Sequence, residues 1–287
     1  MKKTLSILAA VIALSSLTGC TDAVAKLKDK NSVLMTVGKT SITKGQVYTM
    51  MSTASGAYTA VTDASETVAA AEVEVTDDMK SEAESTLNYY KNAYGDSFAT
   101  TLAQNNMTED DLYNNLILSS QIDALTKQYV TENFDDLVSQ YTPIKAYVLD
   151  FASQDNANAA LADLKNGKEP TAVVTEYSAS TSTGVTQIYT TSSTLDSEVR
   201  AVITSAAPAD GWSMVPGTDG KYYVVEVVEN DASNMKDEVI TALAGLSDMS
   251  TTAEEAYFKK YKFHIYDKPL YDAVMESYPN YIVQNQK

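Results

Sequence analysis

Two extended apolar stretches in the middle of the chain restrict its fold more than any other feature. The first, "IKAYVLDF" at 144–151, alternates Ile144 and Val148 with more polar residues, and Pro143 cannot donate to a ladder, so the strand starts after it. The second, "YYVVEVV" at 222–228, follows a glycine-rich turn. Helical patterns lie between them at 155–166, 170–177 and 195–206, with a Ser/Thr-rich loop at 178–194. Strand, helices and returning strand predict a compact α+β domain over 143–230.

The segments on either side of this block are helical in pattern. A short hairpin is predicted before residue 43, with its turn at Gly38 and Lys39. Helix starts are indicated by Thr43 with Gln46 and by Thr108 with Asp111, which have the spacing of a capping box. Residues 53–76 show no clear period and fit either a loop or a frayed helix. The sequence therefore predicts helical segments over 33–142 and 231–287.

The charge balance excludes several classes of function. The chain has 287 residues, 21 Lys and Arg against 38 Asp and Glu, and a formal net charge of -17. Phosphate backbones require a basic surface, so nucleic acid is not an expected partner.

The single histidine, His264, cannot form a triad or a metal cluster without partners, and the single cysteine allows no disulfide. No cofactor and no metal site is expected.

The first 20 residues have the pattern of a secretory signal. Lys2 and Lys3 precede an apolar run at 5–14, and "LTGC" follows at 17–20. This segment resembles the lipobox of bacterial lipoproteins, which implies cleavage before Cys20 and lipid attachment to its thiol. The expected product is a lipid-anchored protein on the extracytoplasmic face of the cell membrane. Residues 21–32 are interpreted as a polar linker.

Four further stretches resemble the PrsA foldase family, relatives of SurA and of parvulin-type prolyl isomerases. They are "VGKTSITKGQVY", "YGDSFATTLAQNNMTEDDLYNNL", "ADLKNGKEPTAVVTEYS" and "KFHIYDKPLYDAV". The resemblance implies a discontinuous helical chaperone domain, similar to those of SurA and trigger factor. Its N- and C-terminal segments are 33–142 and 231–287, and the parvulin-like α+β domain is inserted between them.

The same resemblance locates a site and shows what it lacks. Parvulins present two histidines on adjacent central strands. In this chain Val148 occupies the first position and Tyr223 the second, so no catalytic residue is assigned and isomerase activity is left open. The glycine-rich segment that usually follows "EYS" is also absent. Trp212 and Met214 are loose substitutes for the family's pocket phenylalanine.

Two functions follow from the resemblance. The first is a membrane-anchored extracytoplasmic foldase or chaperone for secreted proteins, and the alternative is an active isomerase with a rebuilt pocket. The expected partners are unfolded or newly secreted polypeptides, the membrane through Cys20, and a second copy of the chain in a possible homodimer. A solute-binding lipoprotein is disfavoured because repeated βαβ units are missing from the pattern.

Tyrosine is unusually frequent, with 19 Tyr against 5 Phe. A tyrosine side chain combines an apolar ring with a polar hydroxyl and suits partly exposed contact surfaces. Candidate contacts for an unfolded client are Tyr147, Trp212, Met214, Tyr89 and Tyr113. The competing interpretation places the tyrosines at ordinary domain seams.

Overall fold

The computed structural model describes residues 25, 27–179, 181–282 and 284. The predicted signal peptide, the predicted lipid attachment at Cys20 and part of the predicted linker lie outside the described residues. Within the described ranges, no helix combines the length and apolar character needed to cross a membrane.

The described residues contain both strands and helices, which confirms the predicted α+β class. The strands are β1 Val33–Val37, β2 Thr40–Thr43, β3 Ile144–Phe151, β4 Gln187–Tyr189, β5 Ser213–Pro216 and β6 Tyr222–Glu229. The helices are α1 Lys44–Met51, α2 Ala57–Glu72, α3 Asp77–Tyr94, α4 Phe98–Gln104, α5 Glu109–Glu132, α6 Phe134–Tyr141, α7 Gln154–Lys165, α8 Pro170–Glu176, α9 Ser197–Ser205, α10 Lys236–Ala244, α11 Met249–Lys260 and α12 Lys268–Ser277.

The chain forms two compact units, and the first unit is built from both ends of the chain. It contains residues up to Ala64 and residues from Phe258 onward. Ala25 donates its backbone N–H to the carbonyl of Tyr266 at 2.7 Å and forms a parallel bridge with Asp267. The predicted discontinuity of the helical domain is therefore present. The predicted domain limits at 142/143 and 230/231 stay predictions, while the compact units divide at 64/65 and 257/258.

Local rules explain the start of this first unit. β1 and β2 pair antiparallel around Gly38, whose φ of 59° suits a tight turn. Thr43 caps α1, and its backbone N–H donates to Gln46 Oε1 at 2.8 Å, so the predicted capping box is confirmed. A π-helical turn at Ser52–Gly56 connects α1 to α2. Residues 57–72 are thus helical, although their sequence shows no clear period.

The second unit, Ser65–Tyr257, contains an antiparallel sheet with the order β4-β3-β6-β5. β3 lies at its centre and starts directly after Pro143, as predicted. β4 and β5 were not predicted. β4 lies inside the expected Ser/Thr-rich loop, and both strands are short edge strands whose formation depends on the partner strand.

Helices cover both faces of this sheet. One face buries Leu149, Phe151 and Val224 against apolar residues of α7 and α8. The other buries Ala146 and Val225 against α9. A third apolar cluster joins α5 and α6 to α10 and the start of α11. The sheet therefore separates two side-chain environments, and the register of its strands decides which residues enter each.

The loop after α8 returns over the start of that helix at Gly184. Gly184 is buried with φ at 77°, and a Cβ there would lie 2.6 Å from the Cα and N atoms of Thr171. Neither atom can move without displacing the helix backbone. The loop that follows α8 is therefore fixed to α8 by close backbone contact.

Replacing Gly184 with alanine is expected to lower the free energy of unfolding by more than about 2 kcal/mol, because backbone strain and a steric clash add together. Gly167→Ala is the matched control, since its φ is 86° with nothing within 4 Å of the added Cβ. The control variant should lower the free energy of unfolding by about 1 kcal/mol. Urea denaturation followed by circular dichroism measures both variants, and equal losses would contradict the close contact.

Candidate functional site

A cavity of about 270 Å³ opens on the α9 face of the sheet, and both of the predicted site positions line it. Val148 pairs with Val225 across the β3–β6 ladder, and Asp150 pairs with Tyr223. Opposite residues of an antiparallel pair share a face, so Val148 and Tyr223 lie diagonally across one surface. The structure thus brings together the two positions that sequence alignment selected.

A buried aspartate at the end of β3 organises the cavity wall. The Asp150 side chain is 5% exposed and its Oδ2 accepts from Lys221 Nζ at 2.7 Å. The backbone N–H groups of Thr181 and Ser182 both donate to Oδ1 at 3.0 Å, and the Thr181 hydroxyl donates to Oδ2 at 3.1 Å. Ser182 Oγ in turn accepts from the Asp150 backbone. One carboxylate therefore ties β3 to the start of β6 and to the loop after α8.

These contacts keep Asp150 ionised. Burial by itself raises the pKa of the carboxyl, but the hydrogen bonds from Lys221, Thr181 and Ser182 outweigh it and hold the pKa well below the usual range. The ion pair also raises the pKa of Lys221. The cavity wall therefore carries a fixed ion pair at neutral pH.

Tyr223 is also fixed in place. Its hydroxyl donates to Asp219 Oδ2 at 2.7 Å. The absence of a side chain at Gly217 leaves room for the ring, because a Cβ there would lie 2.6 Å from Tyr223 Cε2. Burial, followed by the bond to Asp219 and the surrounding carboxylates, raises the pKa of Tyr223. This tyrosine stays protonated at neutral pH and its proton is committed to Asp219.

The remaining carboxylate of the cavity, Asp196, also accepts hydrogen bonds from the fold. Asp196 accepts from the backbone of Glu198 at 2.9 Å at the start of α9. Its second oxygen accepts from the backbone and the hydroxyl of Thr218 at 2.7 and 2.6 Å. The hydroxyl bond, together with these backbone bonds, lowers the pKa of Asp196 despite some burial. On the opposite wall, burial raises the pKa of Tyr189 to about 12.

This arrangement suits holding a structure together more than proton transfer. General acid–base catalysis needs a group that can exchange its proton near the operating pH, whereas the pKa shifts move Asp150 and Tyr223 away from neutrality in opposite directions. Among the described residues, no group of three His, Cys, Asp or Glu side chains is placed to hold a metal ion. The cavity is hydroxyl-rich, with Thr181, Ser182 and Thr194 in its wall.

The other predicted contact residues lie away from the cavity. Tyr147, Trp212 and Met214 belong to the opposite face of the sheet, where Met214 pairs with Val224. The expectation that Trp212 or Met214 substitutes for a pocket phenylalanine was therefore wrong, because alternate residues of a strand face opposite sides. Tyr89 lies exposed on α3 and Tyr113 lies half-buried on α5. Their role as client contacts stays a prediction.

Sequence reasoning missed the polar network. The available signal was a charged residue, Asp150, between the apolar residues Leu149 and Phe151 at the end of the strand, since a buried charge requires a partner. Its partner Lys221 directly precedes the second strand. The Thr181 and Ser182 contacts come from a loop and could not be located from the pattern. His264 is half-buried, with its ring centroid 4.5 Å from that of Tyr266.

The fold and the cavity together define an α+β domain in which Val148 and Tyr223 line one cavity. Similar solved structures are the peptidylprolyl isomerase PrsA from Bacillus cereus (18% identity, TM-score 0.48), the foldase protein PrsA from Streptococcus pneumoniae (17%, 0.44) and PrsA from Bacillus subtilis (21%, 0.40). The similarity spans 86%, 88% and 85% of this chain and 98%, 100% and 98% of those chains, respectively.

No protein-family model matches the chain, and a comparison with curated protein sequences finds no match.

The ion pair of Asp150 gives a prediction for acid stability. Because the folded-state pKa is lowered, its contribution to stability is present above the unfolded pKa of about 4 and is lost as pH falls toward the folded-state pKa. Asp150→Asn should lower the free energy of unfolding by about 2 kcal/mol at pH 7, and the difference from the native chain should shrink below about pH 4.

Denaturant titrations at pH 7, 4 and 3 measure this effect. Asp123→Asn is the matched control, because Asp123 lies exposed in the middle of α5, and it should change stability by less than about 0.5 kcal/mol. A constant difference between the native chain and Asp150→Asn across this pH range would contradict the ionised, paired state of Asp150.

Proposed function

We propose that this chain is a lipid-anchored extracytoplasmic foldase that holds unfolded segments of secreted proteins without using chemical energy. One observation carries the proposal, namely an open groove lined by the exposed Tyr58, with exposed methionines on the preceding helix α1, in the unit formed by the two chain ends. The anchoring half of the proposal is supported by the "LTGC" motif ending at Cys20.

The groove lies between the π-helical region and α12, within the first unit. It has a volume of about 440 Å³, and its walls include Thr53, Tyr58, Pro269 and Tyr278. Gly56 allows the two walls to approach, since a Cβ at Gly56 would lie 3.3 Å from Leu270 Cδ1. π-Helical turns occur frequently at functional sites. The groove is thus a preformed recess with helices on both sides.

Exposed apolar side chains lie in and beside this recess. Tyr58 is 66% exposed, Met50 is 64% exposed and Met51 is 61% exposed. Methionine is flexible and polarizable, so methionine-rich surfaces can repack around different apolar partners. Exposing such side chains has no benefit for the folding of the unit itself. A surface that binds many unfolded sequences weakly accounts for them.

The parvulin-like cavity favours a function in holding unfolded polypeptide over a function in prolyl isomerisation. Twisting a prolyl bond against a barrier of about 18–20 kcal/mol requires a dry pocket for the ring and groups that disfavour the planar amide. Val148 offers no polar group, and the Tyr223 hydroxyl is already bonded to Asp219. The cavity is therefore better explained as a stabilised part of the domain than as a catalytic pocket.

Replacing Met50 and Tyr58 together with serine is expected to weaken the suppression of client aggregation. About tenfold more protein should be needed for half-maximal suppression, because two apolar contacts are lost. Light scattering of a chemically unfolded client diluted into the purified mature chain measures this. Both residues are exposed, so the free energy of unfolding, measured by thermal denaturation, should stay within about 0.5 kcal/mol of that of the native chain.

Val228→Ser is the matched control, because Val228 is 39% exposed, belongs to the second unit and does not line the cavity there. It should leave aggregation suppression unchanged. If the control and the double variant lost equal activity, the groove would not be the holding surface.

An active isomerase with a rebuilt pocket is the second candidate, favoured by the survival of a cavity between Val148 and Tyr223. We expect the purified chain to leave the rate of a proline-limited refolding reaction unchanged while it suppresses aggregation of the same client. Stopped-flow fluorescence with a catalysed positive control measures the rate. A concentration-dependent acceleration that Tyr223→Phe abolishes would establish the isomerase instead.

A further inference from the structure

Two aromatic rings meet over the central strand β6 on the sheet face opposite the cavity. Tyr147 belongs to β3 and Trp212 directly precedes β5, and these strands flank β6 on its two sides. The ring centroids are nevertheless only 5.1 Å apart, with an angle of 34° between the planes. The rings therefore lean toward each other across β6. The residue of β6 that pairs with Tyr147 is Glu226.

Glu226 is a partly buried carboxylate that has no partner. No hydrogen bond or ion pair reaches it from the described residues, and burial alone raises its pKa. The neighbouring charges on this side of the sheet are committed elsewhere. Lys145 pairs with Glu238 at 2.7 Å, and Glu229 accepts from the backbones of Asn230 and Asp231 at 2.9 and 2.8 Å. Burying a carboxylate without a hydrogen-bond partner costs free energy.

The surroundings of this carboxylate have the composition of a cation site. The faces of tyrosine and tryptophan rings attract positive charge, and a carboxylate adds a charge-assisted hydrogen bond. Tyr147, Trp212 and Glu226 all remain partly exposed, so a group from solvent can reach them. The net charge of -17 favours the approach of a cation from a distance.

We propose that Tyr147, Trp212 and Glu226 form a binding site for a cationic side chain, of the arginine class, carried by an extended polypeptide. A planar guanidinium stacks on aromatic rings and donates to a carboxylate through the same group. The proposal rests on the foldase function only in taking the polypeptide to be an unfolded client.

Other ligands fit less well. An anion would be repelled by Glu226, and an apolar side chain would bury the carboxylate further without giving it a partner. A metal ion requires several oxygen, nitrogen or sulfur ligands, whereas this site offers one carboxylate between two rings. A side chain that is both flat and positively charged satisfies the rings and the carboxylate together.

The chain supplies its own reporter for this site, because Trp212 is its single tryptophan. Titrating the full mature chain with a short unstructured peptide that contains one arginine should change the tryptophan fluorescence in a saturable manner. A peptide with neutral citrulline in place of arginine should bind about tenfold more weakly, since it keeps the shape and loses the charge. Equal binding of the two peptides would overturn the proposal.

Glu226→Gln should weaken arginine-peptide binding about fivefold, and Tyr147→Leu should weaken it by a similar factor. Glu82→Gln is the matched control, because Glu82 is an exposed carboxylate on α3, and it should leave the dissociation constant unchanged. Calorimetry of the same titrations gives binding independently of fluorescence. An unchanged dissociation constant for Glu226→Gln, in a variant with native circular dichroism, would remove Glu226 from the site.

The two proposals can fail separately. If aggregation of an unfolded client is suppressed but arginine and citrulline peptides bind equally, the cation site is wrong and the foldase function stands. If the arginine peptide binds with the expected dependence on Glu226 but no client is protected from aggregation, the site stands and the foldase function is wrong.

Discussion

Antiparallel pairing between β3 and β6 determines the environment of the candidate functional side chains on the sheet of the second unit. Its register places Val148 beside the cavity and Tyr147 with Glu226 on the opposite face. Because side chains alternate along a strand, a slip of one residue would exchange the two sets. The buried residues Leu149 and Val224 oppose such a slip, since they would leave the apolar core under α7 and α8.

Local rules made much of this fold predictable from the sequence. The Thr43 and Thr108 capping boxes and the strand after Pro143 depend on residues close together in the chain, and all three are present. β4 and β5 depend on the partner strands that they join, so their own residues gave no sufficient signal. The helix over 57–72 could not be predicted, because its Ala, Ser and Thr residues show no strong hydrophobic period. In the structure, Val61, Val68 and Ala69 of this helix are nevertheless buried.

The candidate site was predictable only in part, for a related reason. Motif alignment located Val148 and Tyr223, and the register confirms that they share one face. The Asp150 network could not be located, because its donors come from Lys221, directly before β6, and from a loop that is fixed by Gly184. A strand pattern indicates that an aspartate is buried and therefore needs a partner. Which residue is that partner depends on the tertiary fold.

The distribution of hydrogen-bonded and unbonded polar groups separates the structural surfaces of this chain from the proposed binding surfaces. In the cavity, Asp150 and Asp196 already have donors, and Tyr223 donates to Asp219. A ligand entering there would have to break bonds that the fold already makes. Within the described part of the chain, no hydrogen bond or ion pair reaches Glu226, and Met50 is exposed, so the proposed ligand would gain contacts at both places without first disrupting the protein. The proposed polypeptide contacts at Met50 and Glu226 therefore do not depend on the side chains at 148 and 223, since neither residue lines the cavity that Val148 and Tyr223 share.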